Sequence, residues 1–200
     1  MANAAARVVQ ALVVAVALCM VGLAHAGGRP GSRARQTTPY HRMRRLQFSV
    51  FVHDELNKTD IMVAQPRRGP VTPIAAPFGS LFCQNDRVTA GREEGSALVG
   101  SLTGLTVVSS WDGLASLNVA TLSIDTRKPR PHTPASLRRL QGTLNVLGVV
   151  SNILKPQPIA IACGTGSFLL AQGSATSVPI DVTTFKQVIR LDLNIYLPAV

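Results

Sequence analysis

Ile189–Tyr196 read IRLDLNIY, and this stretch near the carboxyl end of the sequence decides the fold class. Its apolar side chains, at Ile189, Leu191, Leu193 and Ile195, alternate one by one with polar residues and a tyrosine. Successive side chains of a β-strand point to opposite faces, so this period of two predicts a strand with one apolar face.

Similar short segments follow one another along most of the sequence, separated by clusters of Gly, Pro, Asn and Asp, with no convincing amphipathic helix between them. This spacing predicts an all-β protein with an antiparallel meander. Alternation alone leaves a sandwich and a closed barrel equally open. The candidate strands are 47–54, 60–65, 78–83, 97–108, 115–124, 140–146, 158–162, 167–176 and 189–196.

The first 26 residues have the pattern of a secretory signal peptide. Arg7 precedes the largely apolar run 8–23, and Ala24-His25-Ala26 provides small residues around a cleavage point. A membrane anchor is the alternative, but the run is shorter than the roughly 20 apolar residues that span a bilayer. We therefore expect a protein secreted to the extracellular space, without a membrane span.

The remaining chain has the size of one domain, and we divide it into a flexible basic leader, 27–46, and a folded domain, 47–200. The 20 Lys and Arg residues outnumber the 10 Asp and Glu, and they concentrate in this leader and in Gly/Pro-rich loops near residues 67 and 130. The export signal and the 4% aromatic content argue against nucleic acid as the partner. Acidic wall polysaccharide and simple solvation of the charges both stay open.

Few residues are arranged for chemistry of their own. The mature chain has two cysteines, Cys83 and Cys163, which could form a disulfide or remain as two free, buried thiols. His41, His53 and His132 are isolated, and no metal-binding spacing, phosphate loop or dinucleotide fingerprint occurs. We expect no metal, no cofactor and no autonomous redox activity.

Asn57-Lys58-Thr59 is a sequon that would accept an N-glycan on a secreted chain.

An ordered set of motifs resembles the plant dirigent family, in a divergent form. The glycine turn and apolar segment of 161–176 are the strongest of these motifs, and the set covers nearly everything after residue 46. The remaining landmarks, in order, are Phe51-Val52-His53-Asp54, Phe78-Gly79 followed by Asn85-Asp86, Val99-Gly100 with Gly104, Gly142-Thr143-Leu144 with Gly148, and Leu191–Tyr196.

The resemblance implies an eight-stranded antiparallel up-and-down barrel with an internal cavity, assembled as a homotrimer. It also implies a role in lignan and phenylpropanoid biosynthesis in the apoplast. A separate laccase or peroxidase makes phenoxy radicals of a monolignol or related phenolic, and the barrel orients two of them for regio- and stereoselective coupling. Asp54 matches a cavity aspartate of the family, and we expect it to act as the catalytic acid.

The sequence also departs from the family pattern. Thr106 stands where a cavity tyrosine is usual, and Val150 where lignan-forming members have a second aspartate. Gln157 replaces an arginine, and Cys163 replaces a glycine, which argues against a family disulfide. We expect Thr106, Val150 and Thr176 to bind substrate beside Asp54. Asp86 we assign to a turn.

Two hypotheses follow. The first is a dirigent-like protein that guides the coupling of phenolic radicals, assisted at most by an acid. The alternative is a non-catalytic cell-wall or plant-defence protein that uses its basic segments to hold acidic polysaccharide.

Overall fold

The computed structural model describes residues 43–66, 68–72, 75–128, 131–152, 154–183 and 185–199. The predicted signal peptide, 1–26, and residues 27–42 of the predicted leader lie outside these residues. The last part of that leader, Met43–Leu46, already belongs to the first strand. None of the described residues forms a helix that is long and apolar enough to cross a membrane.

The described residues form an all-β antiparallel barrel, as predicted. The strands are β1 Met43–Glu55, β2 Asp60–Ala64, β3 Leu81–Thr89, β4 Leu98–Val108, β5 Ser116–Asp125, β6 Gln141–Val150, β7 Gln157–Gly164, β8 Gln172–Val182 and β9 Lys186–Pro198.

The sheet closes through β1, which pairs with β9 along its whole length and with β3 over Phe51–His53. β2 takes over as the neighbour of β3 where the pairing with β1 stops. Both β1 and β2 are antiparallel to β3, so they occupy one position of the barrel in succession. The nine strands formed by the described residues therefore fill eight positions of a closed barrel, in which β2 pairs with β3 alone.

Two predicted strands were placed wrongly. β3 begins at Leu81, later than the predicted 78, and continues to Thr89 through Asn85-Asp86, which we had assigned to a turn. β8 begins at Gln172, because Gly166–Phe168 form a short 3₁₀ turn that places Phe168 in the core. The apolar run that follows Gly166 is therefore not the start of a strand, as we predicted, but a turn whose side chain Phe168 packs in the core.

The interior differs between the two ends of the barrel. At the end where β1 begins, buried apolar side chains pack together across the lumen, and the rings of Phe48 and Phe168 lie 6.2 Å apart. A second 3₁₀ turn, Ala135–Leu137, adds the fully buried Leu137 to this packing. We call this the packed end. At the opposite end, where β1 finishes, the lumen is open.

Glycines permit close approach between strands in the wall. A Cβ atom at Gly104 would lie 2.3 Å from the carbonyl oxygen of Val119 on β5, so only glycine allows this spacing. Gly166 has φ +59°, in the left-handed region that favours glycine, and it starts the turn that delivers Phe168.

Candidate functional site

A cavity of about 140 Å³ occupies the open end of the barrel. This is roughly ten times the ~10–15 Å³ that a single water molecule requires. Its wall is mostly apolar, and all nine strands contribute to it, with one residue each from β2, β7 and β8 and two or more from each of the others. Apolar lining side chains include Val52, Leu56, Phe82, Leu102 and Ile189.

Asp54 lies in this wall near the end of β1. Alternation along β1 turns Val50, Val52 and Asp54 inward and His53 to the other face, and Asp54 is only 6% exposed. The side-chain amide of Gln187, on β9, donates a hydrogen bond to the carboxylate of Asp54. Burial raises the pKa of Asp54, and the bond from Gln187 only partly opposes this effect. Asp54 is therefore biased toward its protonated form.

Two further aspartates line the same cavity, Asp60 on β2 and Asp86 on β3. Asp86 is 2% exposed, and one carboxyl oxygen of each residue is buried without a hydrogen-bond partner. Burial and the charge of Asp54 raise the pKa of Asp60 to about 7 and that of Asp86 to about 8. We call Asp54, Asp60 and Asp86 the carboxyl cluster.

The assignment of Asp86 to a turn was wrong, because β3 continues past it. Phe82, Gln84, Asp86 and Val88 form an alternating inward row that the turn-forming pair Asn85-Asp86 concealed. Alternation could likewise have predicted that Gln187 points inward, because it lies one period of two residues before Ile189 in the last strand. Nothing in the sequence indicated that Asp60 would join Asp54, since the β1–β2 interruption brings them together.

Thr106 lies in the wall and is held in a polar chain across β3, β4 and β5. The side-chain amide of Gln84 donates to Thr106 Oγ1 over 2.7 Å, and Thr106 Oγ1 donates to Asn118 Oδ1 over 2.7 Å. Asn118 Nδ2 in turn donates to Ser116 Oγ over 3.1 Å. This chain fixes a polar strip on the inner face opposite a mostly apolar wall.

The other predicted binding residues divide between inside and outside. Val150 lines the cavity at the end of β6. Thr176 lies on the outer face of β8, because the register turns its neighbours Ala175 and Ser177 inward, and Ser177 is the residue of β8 that lines the cavity. Gln157 also lies outside the lining and accepts a hydrogen bond from Ser151 over 3.0 Å.

Asn57 is exposed in the turn between β1 and β2, at the rim of the open end, with φ 65°. Asparagine tolerates this left-handed conformation better than most residues. The sequon is therefore on an accessible turn.

Cys83 and Cys163 are free, and both are exposed, so neither alternative, a disulfide or two buried thiols, is correct. Cys83 is on β3 and Cys163 on β7, with three strands between them in the sheet. At about 4.8 Å per strand this separation exceeds the roughly 7 Å that a disulfide can bridge.

The mouth of the cavity is rimmed by exposed apolar side chains. Leu114, in the loop between β4 and β5, and Phe185, between β8 and β9, line the cavity and are 45% and 59% exposed. Beside Leu114, the ring of Trp111 stacks on Phe78 with the ring centres 4.3 Å apart. An aromatic molecule would meet apolar surface before it entered.

The charge of the lining has one sign. Among the described residues that line the cavity, the carboxyl cluster provides every ionisable side chain, and Lys, Arg and His do not occur. Within the same described part of the chain, no three His, Cys, Asp or Glu side chains are arranged to hold a metal ion. The cavity is thus an apolar chamber with an acidic inner corner.

A family model described as Dirigent-like protein matches residues 45–197, which is the whole barrel. The chain belongs to the dirigent family. This dirigent protein is 33% identical to Dirigent protein 24 of Arabidopsis thaliana over 111 residues, a match that covers 54% of the chain and about a third of the relative's length, 34%. It is 28% identical to Pterocarpan synthase 1 of Glycine max over 171 residues, covering 82% of the chain and 80% of the relative.

Solved structures have the same fold. The pterocarpan synthase dirigent protein PsPTS1 superposes with a TM-score of 0.64 at 25% identity, covering 78% of this dirigent chain and 97% of the other. GePTS1, also a pterocarpan synthase dirigent protein, gives a TM-score of 0.62 at 23% identity, covering 77% and 85%. The closed eight-position barrel is therefore that of the family.

Proposed function

We propose that this dirigent protein binds a phenolic intermediate in its cavity and directs which bond the intermediate forms. In the leading version the guests are two phenoxy radicals of a monolignol or related phenolic, generated by a separate laccase or peroxidase. The observation that carries the proposal is a largely apolar cavity with a buried carboxyl group at Asp54, whose pKa is raised by burial.

The physical basis of the selectivity is orientation. Phenoxy radicals couple readily without help, so the protein needs only to fix the two aromatic planes relative to each other. The apolar wall around Val52, Leu102 and Ile189 accommodates rings, and the polar strip through Gln84, Thr106 and Asn118 can accept or donate to phenol hydroxyls. Holding one relative orientation selects one bond and one face.

The carboxyl group can assist the step after coupling. The oxidase removes one electron and one proton from each phenol, and the two unpaired electrons then form one new bond, which gives a quinone methide. Protonated Asp54 can give its proton to the quinone methide oxygen while an internal hydroxyl attacks the ring-attached carbon. The proton of that hydroxyl returns to Asp54, so no net proton is gained or lost.

The pterocarpan synthases among the relatives favour a cyclisation as the alternative reaction in the same cavity. Ring closure needs the same parts, an acid and a shaped apolar wall. Val150 stands where the family resemblance places a second aspartate in lignan-forming members. It makes this end of the cavity more apolar and supports a guest other than the simplest monolignols.

The test of the leading version is the optical purity of the product. Coniferyl alcohol is oxidised by a laccase with and without the protein, and the dimers are separated on a chiral column. We expect one enantiomer of one regioisomer to be enriched as protein is added. A racemic mixture of unchanged composition at stoichiometric protein would refute radical guiding for this substrate.

A second candidate function is the binding of acidic polysaccharide, and the packed end provides the observation that favours it. Four exposed basic side chains, Arg127, Lys128, Arg138 and Arg139, surround the loop between β5 and β6, with Asp125 as the partner of Arg127. We expect retention on polygalacturonate that weakens with salt and with the double substitution Arg138→Ala/Arg139→Ala. Substitution of Lys155, an exposed lysine after β6, serves as the control.

We also propose secretion to the apoplast, an N-glycan at Asn57 and assembly as a homotrimer. The outer faces of β4, β5 and β6 support the last of these. The register sets Leu105, Val119 and Leu147 in one cross-strand row and Val107, Leu117 and Val149 in the next. A contiguous apolar surface of this kind is typical of an interface between subunits.

A further inference from the structure

The wall of the cavity around the carboxyl cluster has unused hydrogen-bonding capacity. Oxygen atoms of Asp60 and Asp86 are buried without partners, and so is the side-chain carbonyl oxygen of Gln187, a residue that is 6% exposed. An unpaired buried polar atom costs about 1–3 kcal/mol, so any partner that a guest brought to these three atoms would be stabilising.

The backbone explains why these groups meet. β1 pairs with β3 only as far as His53 and Arg87, and continuing this register would set Asp54 opposite Asp86. The turn that follows is fixed by hydrogen bonds from the Lys58 and Thr59 amides to the Glu55 carbonyl oxygen. β2 then starts with Asp60 beside β3, directly after the interruption.

We propose that Asp60, together with Asp86, is a specificity determinant that restricts the cavity to uncharged phenols with hydroxyl groups and excludes phenols that bear a carboxylate. This inference rests on the proposed function and adds the charge class of the guest. A hydroxyl group can accept from a protonated carboxyl and donate to Gln187, whereas a carboxylate brings a negative charge to a site without any described cation.

Electrostatics supports the exclusion. With pKa values of about 7 for Asp60 and about 8 for Asp86, these two carboxyl groups become anionic as the pH rises above neutrality. The nearest positive side chain on β3, Arg87, and the neighbouring His53 alternate to the outer face and do not enter the cavity. A second anion in this corner would meet both desolvation and like charge, and each opposes binding.

The experiment compares two guests with the same ring, coniferyl alcohol and ferulate, which differ in a terminal CH₂OH or carboxylate. Affinities are measured by calorimetry at pH 8 for the wild type, Asp60→Asn and Asp60→Asn/Asp86→Asn. We expect the wild type to prefer the alcohol by at least about tenfold, the equivalent of ~1.4 kcal/mol. Asp60→Asn should reduce this ratio at least about threefold, and the double variant should reduce it further, by improving the binding of ferulate.

Asp125→Asn makes the same chemical change on an exposed carboxylate at the packed end and should leave the ratio unaltered. Circular dichroism shows whether each variant is folded. Equal affinity of the wild type for both guests, or a ratio that is unchanged in the folded double variant, would overturn the inference while leaving the proposed function intact. Failure of coniferyl alcohol to bind the wild type would instead reject the proposed function for this guest, and the inference with it.

Discussion

Asp54 is deeply buried, and this burial raises its pKa even though Gln187 donates a hydrogen bond to its carboxylate. Replacement with asparagine preserves the size of the side chain and its acceptor oxygen, but removes the exchangeable proton. We therefore expect Asp54→Asn to fold normally and to lose the enrichment of one enantiomer in the laccase assay, giving a racemic product. Asp192→Asn on the outer face is the matched control, and full guiding by Asp54→Asn would refute the role assigned to Asp54.

Asp86 predicts how stability depends on pH. Its pKa is about 8 in the folded chain against 3.8 for the ordinary side chain, so between these values the folded state binds more protons than the unfolded state. The contribution of Asp86 to stability is therefore complete near pH 4 and is lost as the pH rises to about 8. Asp86→Asn removes this loss, and we expect it to exceed the wild type in free energy of unfolding at pH 8 by at least about 1 kcal/mol.

Urea unfolding of both proteins at pH 5 and pH 8 measures this difference. Burial lowers the pKa of His53, so the contribution of His53 to stability changes with pH in the opposite direction. This contribution is common to both proteins and cancels in the comparison. Parallel stability curves for the two proteins would show that Asp86 ionises as an ordinary solvated aspartate.

At the scale of the strands, alternation predicted most of the barrel, and packing decided the rest. β9 and β1 have clear apolar rows, so their faces could be predicted residue by residue, including the inward side of Asp54. The ends of β3 and β8 could not be predicted. Asn85 and Asp86 are turn-forming residues that lie inside a strand, and Phe168 is a strand-favouring residue that lies inside a turn. The cluster needs three strands in register, and no local pattern contains that information.

The outer faces of β5 and β6 give a prediction for assembly. Leu147 is 44% exposed in the middle of the apolar rows, so a charge there would have to be buried in any subunit interface. We expect sedimentation velocity to give a trimer for the wild type and a monomer for Leu147→Glu. Leu170→Glu, at an exposed loop residue, should sediment as the wild type does, and a wild-type monomer would contradict the proposed assembly.

For the whole molecule, the division of the lumen separates stability from binding. Phe168 is completely buried at the packed end, and its truncation to alanine should cost about 3–5 kcal/mol of unfolding free energy with unchanged affinity for coniferyl alcohol. Phe185→Ala, at the mouth, should do the reverse and weaken binding with little loss of stability. Urea unfolding and calorimetry on both variants test this separation, which fails if either substitution changes both quantities equally.

The stacked pair at the rim gives the barrel its own optical reporter. Trp111 is the sole tryptophan of the sequence, 71% exposed, and it lies in the same short loop as the cavity-lining Leu114. Its indole emission therefore originates at the entrance, without background from elsewhere in the chain. Arrival of a flat guest should quench or shift that emission, so stopped-flow fluorescence can follow entry in unlabelled protein.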